Sequence, residues 1–380
     1  MSDVSAMLSA LALAGVLVSL LCAPASAALT TIAASDPLVA WSGRTLPVGG
    51  SVFFDWEGVA ATVTLAPNVS LLTVTITDAC GGTPAGGGSR WAVDMTAGPA
   101  VSPAQHRVAT FFSSAAVAQY VLFANPGARC DPRCDFAAPT TFTLTRLTES
   151  RLSGCTQAGN LSVAAFTADA AFLPPPPRPA RLLEFCGDSI TAGDLNAGFY
   201  ASGTGGPAHC GNAAVNNDIL LGYGAALCRN FSTDCMHTAW GGTTLEGMAP
   251  LYGSTFSSLG PGKSYGAWAF PRAADAVVVN LGTNGGDTQA LYQAFATDIV
   301  RTYYRNASTA LFLAYGPMTA GYEPLVRSVV ANLSAAGLRA FALDLTLPHA
   351  MSGCFGHPSA ADHAEIAAKA QPQIAQALGW

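Results

Sequence analysis

Four positions in the second half of this 380-residue chain have the residue types that acyl transfer requires. Ser189 and Gly241 each follow a short apolar run, as does Asn284, and His357 stands before the last helical pattern. Acyl transfer needs a nucleophile, a general base and donors for the developing oxyanion. We predict Ser189 as the nucleophile and His357 as the general base. The expected oxyanion donors are the backbone N–H groups of Ser189 and Gly241 and the side-chain amide of Asn284.

Each of these residues alone also has an ordinary structural explanation. Gly187-Asp188-Ser189 is a normal turn before a helix, and Asn284 is a common turn residue. Gly241 suits a positive φ, and His357 suits a helix start. Their order, with each near a strand end, favours a serine hydrolase over four independent turns.

The elements that must position these residues alternate between strand and helix after residue 181. Apolar runs predict strands over 182–186, 235–239, 275–280, 309–315 and 339–344. Helical patterns lie between and after them, over 213–229, 287–304, 323–336 and 359–378. This alternation is typical of an α/β fold with a parallel sheet, whose carboxyl edge collects the residues that follow each strand.

The first half of the chain has a different pattern. Residues 28–172 are rich in Thr, Val and Gly, with period-two alternation such as Thr141 to Thr145, and predict an all-β sandwich domain. The proline-rich stretch 173–180 predicts a linker, since such a run is stiff and cannot join a sheet. Residues 181–380 then form the predicted α/β domain.

Four segments of the α/β half resemble, in order, the sequence blocks of the SGNH (GDSL-type) hydrolases. They are GDSITAG, the glycine of AWGGTT, the GTN of NLGTNGG, and HPSAADHAEIA. The resemblance implies a flavodoxin-like three-layer α/β/α domain and the same roles for Ser189, Gly241, Asn284 and His357. It implies no metal or cofactor.

The first half adds a second, shorter resemblance. Trp41-Ser42-Gly43-Arg44 and the segment VFFDWEG at 52–58 look like the opening of the β jelly roll in carbohydrate esterase family two. In that family a small β domain precedes an SGNH domain that removes acetyl groups from plant-type polysaccharides. An acetylated polysaccharide or oligosaccharide is therefore the expected substrate.

The chain departs from the SGNH pattern at two positions. The usual Asp-x-x-His requires an aspartate at position 354, where this chain has Cys354. A backbone carbonyl of the 352–356 loop or Asp344 could orient His357 instead. Gly285 also stands where the family often has aspartate, which affects the local turn and leaves the Asn284 amide in place.

Composition favours an exported protein. The net charge is −6 without a basic cluster, which argues against nucleic acid and anionic membrane surfaces as partners. The apolar stretch 7–21 and the Ala25-Ser26-Ala27 site predict a signal peptide over 1–27 and a secreted protein without stable membrane association, with a retained anchor as the alternative.

Ten cysteines fit export. We expect Cys186 to be a buried inert thiol, and Cys130/Cys134 and Cys228/Cys235 to be possible disulfides. Five glycosylation sequons begin at Asn68, Asn160, Asn230, Asn306 and Asn332.

The sequence thus predicts a secreted serine ester hydrolase that deacetylates carbohydrate through an acyl-enzyme. Two alternatives stay open: an acyltransferase that passes the acyl group to a sugar hydroxyl, and an inactive carbohydrate-binding protein. Four aromatic residues are candidates for a sugar-stacking rim or for core positions: Trp240, Tyr265, Trp268 and Phe355.

Overall fold

The computed structural model describes residues 28–79, 88–97, 106–113, 117–124, 137–150, 160–198, 210, 213–257 and 266–380. The predicted signal peptide, the Cys130/Cys134 pair and Tyr265 lie outside these residues.

The first half consists of two antiparallel sheets. Their strands, in chain order, are β1 Thr30–Ala33, β2 Val39–Ser42, β3 Leu46–Val48, β4 Ser51–Phe53, β5 Ala60–Leu65, β6 Leu71–Asp78, β7 Ser89–Ala97, β8 His106–Ser113, β9 Ala118–Ala124, β10 Thr140–Arg146, β11 Leu161–Ala168 and β12 Phe172–Leu173. One sheet has the order β3-β4-β11-β6-β9 with β1 beside β11, and the other has β12-β5-β10-β7-β8 with β2 beside β5.

The alternating pattern of β10 explains how this half forms a core. Phe142 and Leu144 are buried, while Thr141 and Thr143 lie on the other face. There the two threonines form hydroxyl–hydroxyl hydrogen bonds with Thr64 and Thr62 of β5, at 2.9 and 3.2 Å. Such cross-strand pairs fix the register of a half-buried sheet.

The second half contains a five-stranded parallel sheet. Its strands are β13 Leu182–Gly187, β14 Asp234–Ala239, β15 Ala276–Asn280, β16 Ala310–Tyr315 and β17 Ala340–Asp344. The order β14-β13-β15-β16-β17 is one of the two common orders of doubly wound sheets. All five predicted strands are present within one residue of their expected ends, and the α/β prediction is confirmed.

The helices differ more from the prediction. They are α1 Ser189–Ala192, α2 Ala213–Asn216, α3 Tyr223–Phe231, α4 Leu245–Tyr252, α5 Gln289–Asp298, α6 Glu323–Ala335 and α7 Ala360–Leu378. The predicted helix 213–229 is divided into α2, a 3₁₀ turn at Ile219–Leu221, and α3. Helix α4 was not expected, because Gly247 and Pro250 interrupt its pattern.

Helices cover both faces of the parallel sheet. Alternate residues of each buried strand point to opposite faces. Val277 and Val279 of β15 share one core with α4, α5 and α6, whereas Val278 shares the other with α3 and α7. Helix α7 begins at the expected capping box, in which Ser359 and Asp362 bond each other's backbone N–H groups.

A buried ion pair joins the two halves. Arg44, from the segment after β2, lies 2.9 Å from the Glu184 carboxylate of β13, and both side chains are fully buried. Glu184 also accepts hydrogen bonds from Thr238, Tyr304 and Tyr252. Glu184 is the charged residue of β13, and its negative charge is therefore balanced by the Arg44 guanidinium from the first half of the chain.

The cysteines are partly as expected. Cys228–Cys235 is a disulfide and Cys186 is a buried free thiol, which confirms both predictions. A second disulfide, Cys210–Cys354, spans 144 residues and was not predicted.

The described residues 174–180 form no helix or strand, whereas Leu173 belongs to β12. The domain boundaries stay a prediction. Within the described ranges, no helix is both long enough and apolar enough to cross a bilayer.

Candidate active site

Ser189 lies where the central strand β13 ends. Asp188 caps α1 by accepting a hydrogen bond from the Ile190 N–H, at 3.0 Å, so Ser189 is the first residue of that helix. A Cβ on Gly187 would lie 2.1 Å from the Thr191 hydroxyl and 2.7 Å from the Asn280 carbonyl. Only glycine fits there, and this close packing holds the serine at the carboxyl edge of the sheet.

The structure brings Ser189 and His357 together. The distance between Ser189 Oγ and His357 Nε2 is 2.9 Å. Ser189 is only 7% exposed, and His357 is half-buried. Burial lowers the pKa of His357 below its usual value, although the nearby Cys354 and Phe355 carbonyls partly oppose this. The imidazole is therefore neutral near pH 7 and able to accept the serine proton.

A tight turn presents His357. The Gly353 N–H donates to the His357 carbonyl at 2.9 Å, and the His357 N–H donates to the Cys354 carbonyl at 3.1 Å. Phe355 has a left-handed φ of 53°. The Cys210–Cys354 disulfide fixes this turn to a distant part of the chain.

Asp344 is engaged elsewhere. One of its oxygens lies 2.9 Å from the Lys369 ammonium, and the other accepts from the Thr346 N–H and hydroxyl. These partners lower the pKa of Asp344, against the effect of its partial burial. In the described part of the chain, no hydrogen bond connects Asp344 with His357.

Asn284 lies near the nucleophile loop. Its amide nitrogen donates to the Thr243 carbonyl at 2.9 Å and lies 3.4 Å from the Asp188 carboxylate. Burial raises the pKa of Asp188 to about 7. The exposed Asn284 is thus tied to both the Ser189 loop and the loop that follows β14.

Gly241 has an unexpected partner. Its backbone N–H donates to the carboxylate of Glu149, which comes from the segment after β10 in the first half. A Cβ at Gly241 would lie 2.3 Å from an Asp194 oxygen and 3.0 Å from a Glu149 oxygen. Glycine is therefore required here by close approach.

Glu149 belongs to a buried acidic cluster, which includes Asp55, Glu57 and Asp194 together with Arg146. Burial first, and then the Glu149 charge, raise the pKa values of Glu57 and Asp194 well above their usual range. Sequence reasoning missed this cluster. A glutamate between two strands has no local signal that places it beside a residue 92 positions away.

The rim candidates have different environments. Phe355 is 58% exposed, whereas Trp240 and Trp268 are half-buried. Phe355 is thus the most available for contact with a ligand. Within the ranges that the structure describes, no three His, Cys, Asp or Glu side chains are grouped to hold a metal ion.

Comparisons with known proteins identify the fold. No family model matches the sequence, and no curated protein matches it. A family two carbohydrate esterase from Cellvibrio japonicus has a similar structure, with a TM-score of 0.73 and 20% identity. The match covers 93% of this chain and 99% of that chain.

Two further solved structures are similar. An acetyl xylan esterase, Est2A, from the rumen bacterium Butyrivibrio proteoclasticus gives a TM-score of 0.69 at 18% identity, covering 93% of this chain and 100% of that one. A family two carbohydrate esterase from Clostridium thermocellum, in complex with cellohexaose, gives 0.68 at 19% identity, covering 90% and 99%. The resemblance to carbohydrate esterase family two is thus confirmed at the level of the fold, over nearly the whole chain.

Proposed function

We propose that this protein is a secreted serine esterase that removes O-acetyl groups from polysaccharide. The observation that supports this most directly is the 2.9 Å contact between Ser189 Oγ and His357 Nε2 at the sheet edge. A fold shared with carbohydrate esterases supports the substrate class. We also propose that residues 28–172 form a jelly roll, 173–180 a linker and 181–380 an SGNH hydrolase domain.

The reaction would proceed through an acetyl-enzyme. Ser189 Oγ attacks the acetyl carbonyl carbon while its proton passes to His357 Nε2. The tetrahedral intermediate collapses, the sugar oxygen leaves with the proton from His357, and the acetyl group stays on Ser189. Water, deprotonated by His357, then releases acetate and restores the serine.

The proposed oxyanion donors are the backbone N–H groups of Ser189 and Gly241 and the Asn284 amide. The Gly241 N–H donates a hydrogen bond to the Glu149 carboxylate. Gly241 can donate to a substrate oxyanion only if Glu149 releases or shares this N–H. The acidic cluster therefore opposes oxyanion formation by its charge, and a neutral Glu149 would oppose it less.

Acetate release tests the proposal. The substrates are 4-nitrophenyl acetate and acetylated xylan and mannan, and the proteins are wild type, Ser189→Ala and Ser328→Ala. Removing the nucleophile of a serine hydrolase costs about a thousandfold or more in kcat. Ser328 lies on α6, so Ser328→Ala controls for the loss of a hydroxyl elsewhere. Equal, slow release by wild type and Ser189→Ala would contradict the proposal.

The same proteins separate the alternatives. An acyltransferase would pass acetyl from a donor ester to an added oligosaccharide, and mass spectrometry of the acceptor detects the gain. An inactive carbohydrate-binding protein would not be labelled at Ser189 by a fluorophosphonate probe. We expect labelling at Ser189 and free acetate as the main product.

A further inference from the structure

The Cys210–Cys354 disulfide lies directly beside the proposed general base. Cys354 is three residues before His357, at the position where the SGNH pattern has its aspartate. Cys354 is fully buried, Cys210 is 2% exposed, and both pack against Leu195. A covalent bond thus occupies the place of the acid that usually orients the histidine.

The surroundings of this disulfide restrict the turn further. A Cβ on Gly198 would lie 2.6 Å from Cys354 Sγ, so the 195–198 segment packs directly on the sulfur. The Ala360 N–H, at the start of α7, donates to the Asn196 carbonyl at 2.9 Å. The 195–198 segment therefore contacts the chain both before His357, at Cys354, and after it, at Ala360.

His357 must have one particular tautomer to act as a base. Nε2 faces Ser189, so the proton must reside on Nδ1 for Nε2 to accept another. The Cys354 and Phe355 carbonyls lie near the imidazole, and a carbonyl accepts only from an N–H. Nδ1 is buried, and none of the described groups makes a well-aligned hydrogen bond to it, so the position of the imidazole depends on the turn that carries it.

We propose that Cys210 and Cys354 are positioning residues, whose disulfide holds the turn that presents His357 and so orients the imidazole in place of the missing aspartate. This rests on the proposed role of His357. A carboxylate orients the imidazole through its negative charge, and this attraction persists when the ring shifts. A backbone carbonyl has only a dipole, so it must be held in place by the covalent framework.

The test compares four variants in the full chain. C210A/C354A removes the disulfide, and C228A/C235A removes the other disulfide as a matched control. C210A/C354D supplies the aspartate of the SGNH pattern, and C210A/C354N supplies the same shape without charge. The readouts are kcat and KM on 4-nitrophenyl acetate against pH, and the His357 tautomer from ¹⁵N NMR.

We expect C210A/C354A to lose about tenfold or more in kcat with KM little changed, since orientation affects the chemical step. Its imidazole should become a mixture of tautomers, while C228A/C235A keeps wild-type values. C210A/C354D should regain part of the lost kcat, and its rate should rise at a higher pH than in wild type, because a carboxylate raises a histidine pKa. C210A/C354N should not show this shift.

Two results would overturn the proposal: wild-type kcat and tautomer in C210A/C354A, or equal losses in C228A/C235A. If C210A/C354A does not fold, C210A/C354N decides, since it also lacks the disulfide: wild-type kcat and tautomer in that variant would overturn the proposal. The NMR readout needs no substrate. The disulfide proposal can therefore fail while the esterase proposal stands. Conversely, a wild-type protein that has a single Nδ1–H tautomer but no activity would reject only the esterase proposal.

Discussion

Two of the sites at which the first half of the molecule places charged side chains against the second half are built differently. At the first, Arg44 meets Glu184 as one cation with one anion, and hydroxyl groups complete the carboxylate's hydrogen bonds. At the second, Glu149 reaches Gly241 within a cluster of several buried carboxyl groups and the Arg146 guanidinium. The first site pairs its charges away from the proposed reaction, and the second collects carboxyl groups with raised pKa values beside it. Perturbed carboxylates of this kind are typical of functional sites.

Breaking the matched pair should have the largest effect. Arg44→Met leaves Glu184 buried without its cation, and removing one partner of a buried pair costs about 3–5 kcal/mol of unfolding free energy. Arg44→Met/Glu184→Gln should recover part of this loss, since no charge remains unmatched. Urea unfolding measures both.

The exposed pair Arg327–Glu323 provides the control. Arg327→Met should leave the free energy of unfolding nearly unchanged, because solvent screens an exposed helical pair. If Arg44→Met is no more costly than this, the matched site does not stabilise the contact between the two halves.

Removing the charge of Glu149 should change activity instead. Glu149→Gln keeps an oxygen acceptor for the Gly241 N–H but takes away the negative charge beside the proposed oxyanion. We expect kcat/KM on 4-nitrophenyl acetate to rise about threefold to tenfold, which corresponds to roughly 1 kcal/mol of transition-state stabilisation. An unchanged or lower kcat/KM would show that Glu149 does not oppose the reaction.

The smallest expected effect concerns stability against pH. Burial and the Glu149 charge raise the pKa of Glu57, so the folded state favours its protonated form. The stability from this group is complete below its ordinary pKa of 4.5 and is lost as pH rises through the raised value. Glu57→Gln should therefore have a wild-type Tm near pH 4 and a higher Tm than wild type near pH 8. A Tm difference that is constant with pH would contradict the assignment.

Local patterns in the sequence predicted the strands of the sheet, and they singled out Ser189 and His357, which the structure places 2.9 Å apart. Strand β13 has an apolar run, interrupted only by Glu184, that ends at Gly187, and such a run is typical of a strand buried on both faces. Helix α7 has a capping box and an apolar stripe, which are readable without any tertiary contact. Ser189 and His357 could be paired because parallel strands place their ends at one edge.

Contacts between distant segments could not be predicted. Cys210 and Cys354 are 144 residues apart, and ten cysteines allow many pairings. Glu149 meets Gly241 only because the two halves pack together, which no local pattern encodes. Helix α4 was missed for a different reason: packing against the sheet stabilises a helix whose glycine and proline lower its intrinsic propensity.

The Arg44–Glu184 pair also bears on the order in which the chain is made. Arg44 is synthesised 140 residues before Glu184, so the β half is complete when the central strand of the parallel sheet leaves the ribosome. That strand carries Glu184, whose counter-ion Arg44 belongs to the half of the chain that has already been synthesised. The α/β half is thus not a self-sufficient module. A domain transplant that takes it elsewhere must bring an equivalent of Arg44 or replace Glu184 with a neutral residue.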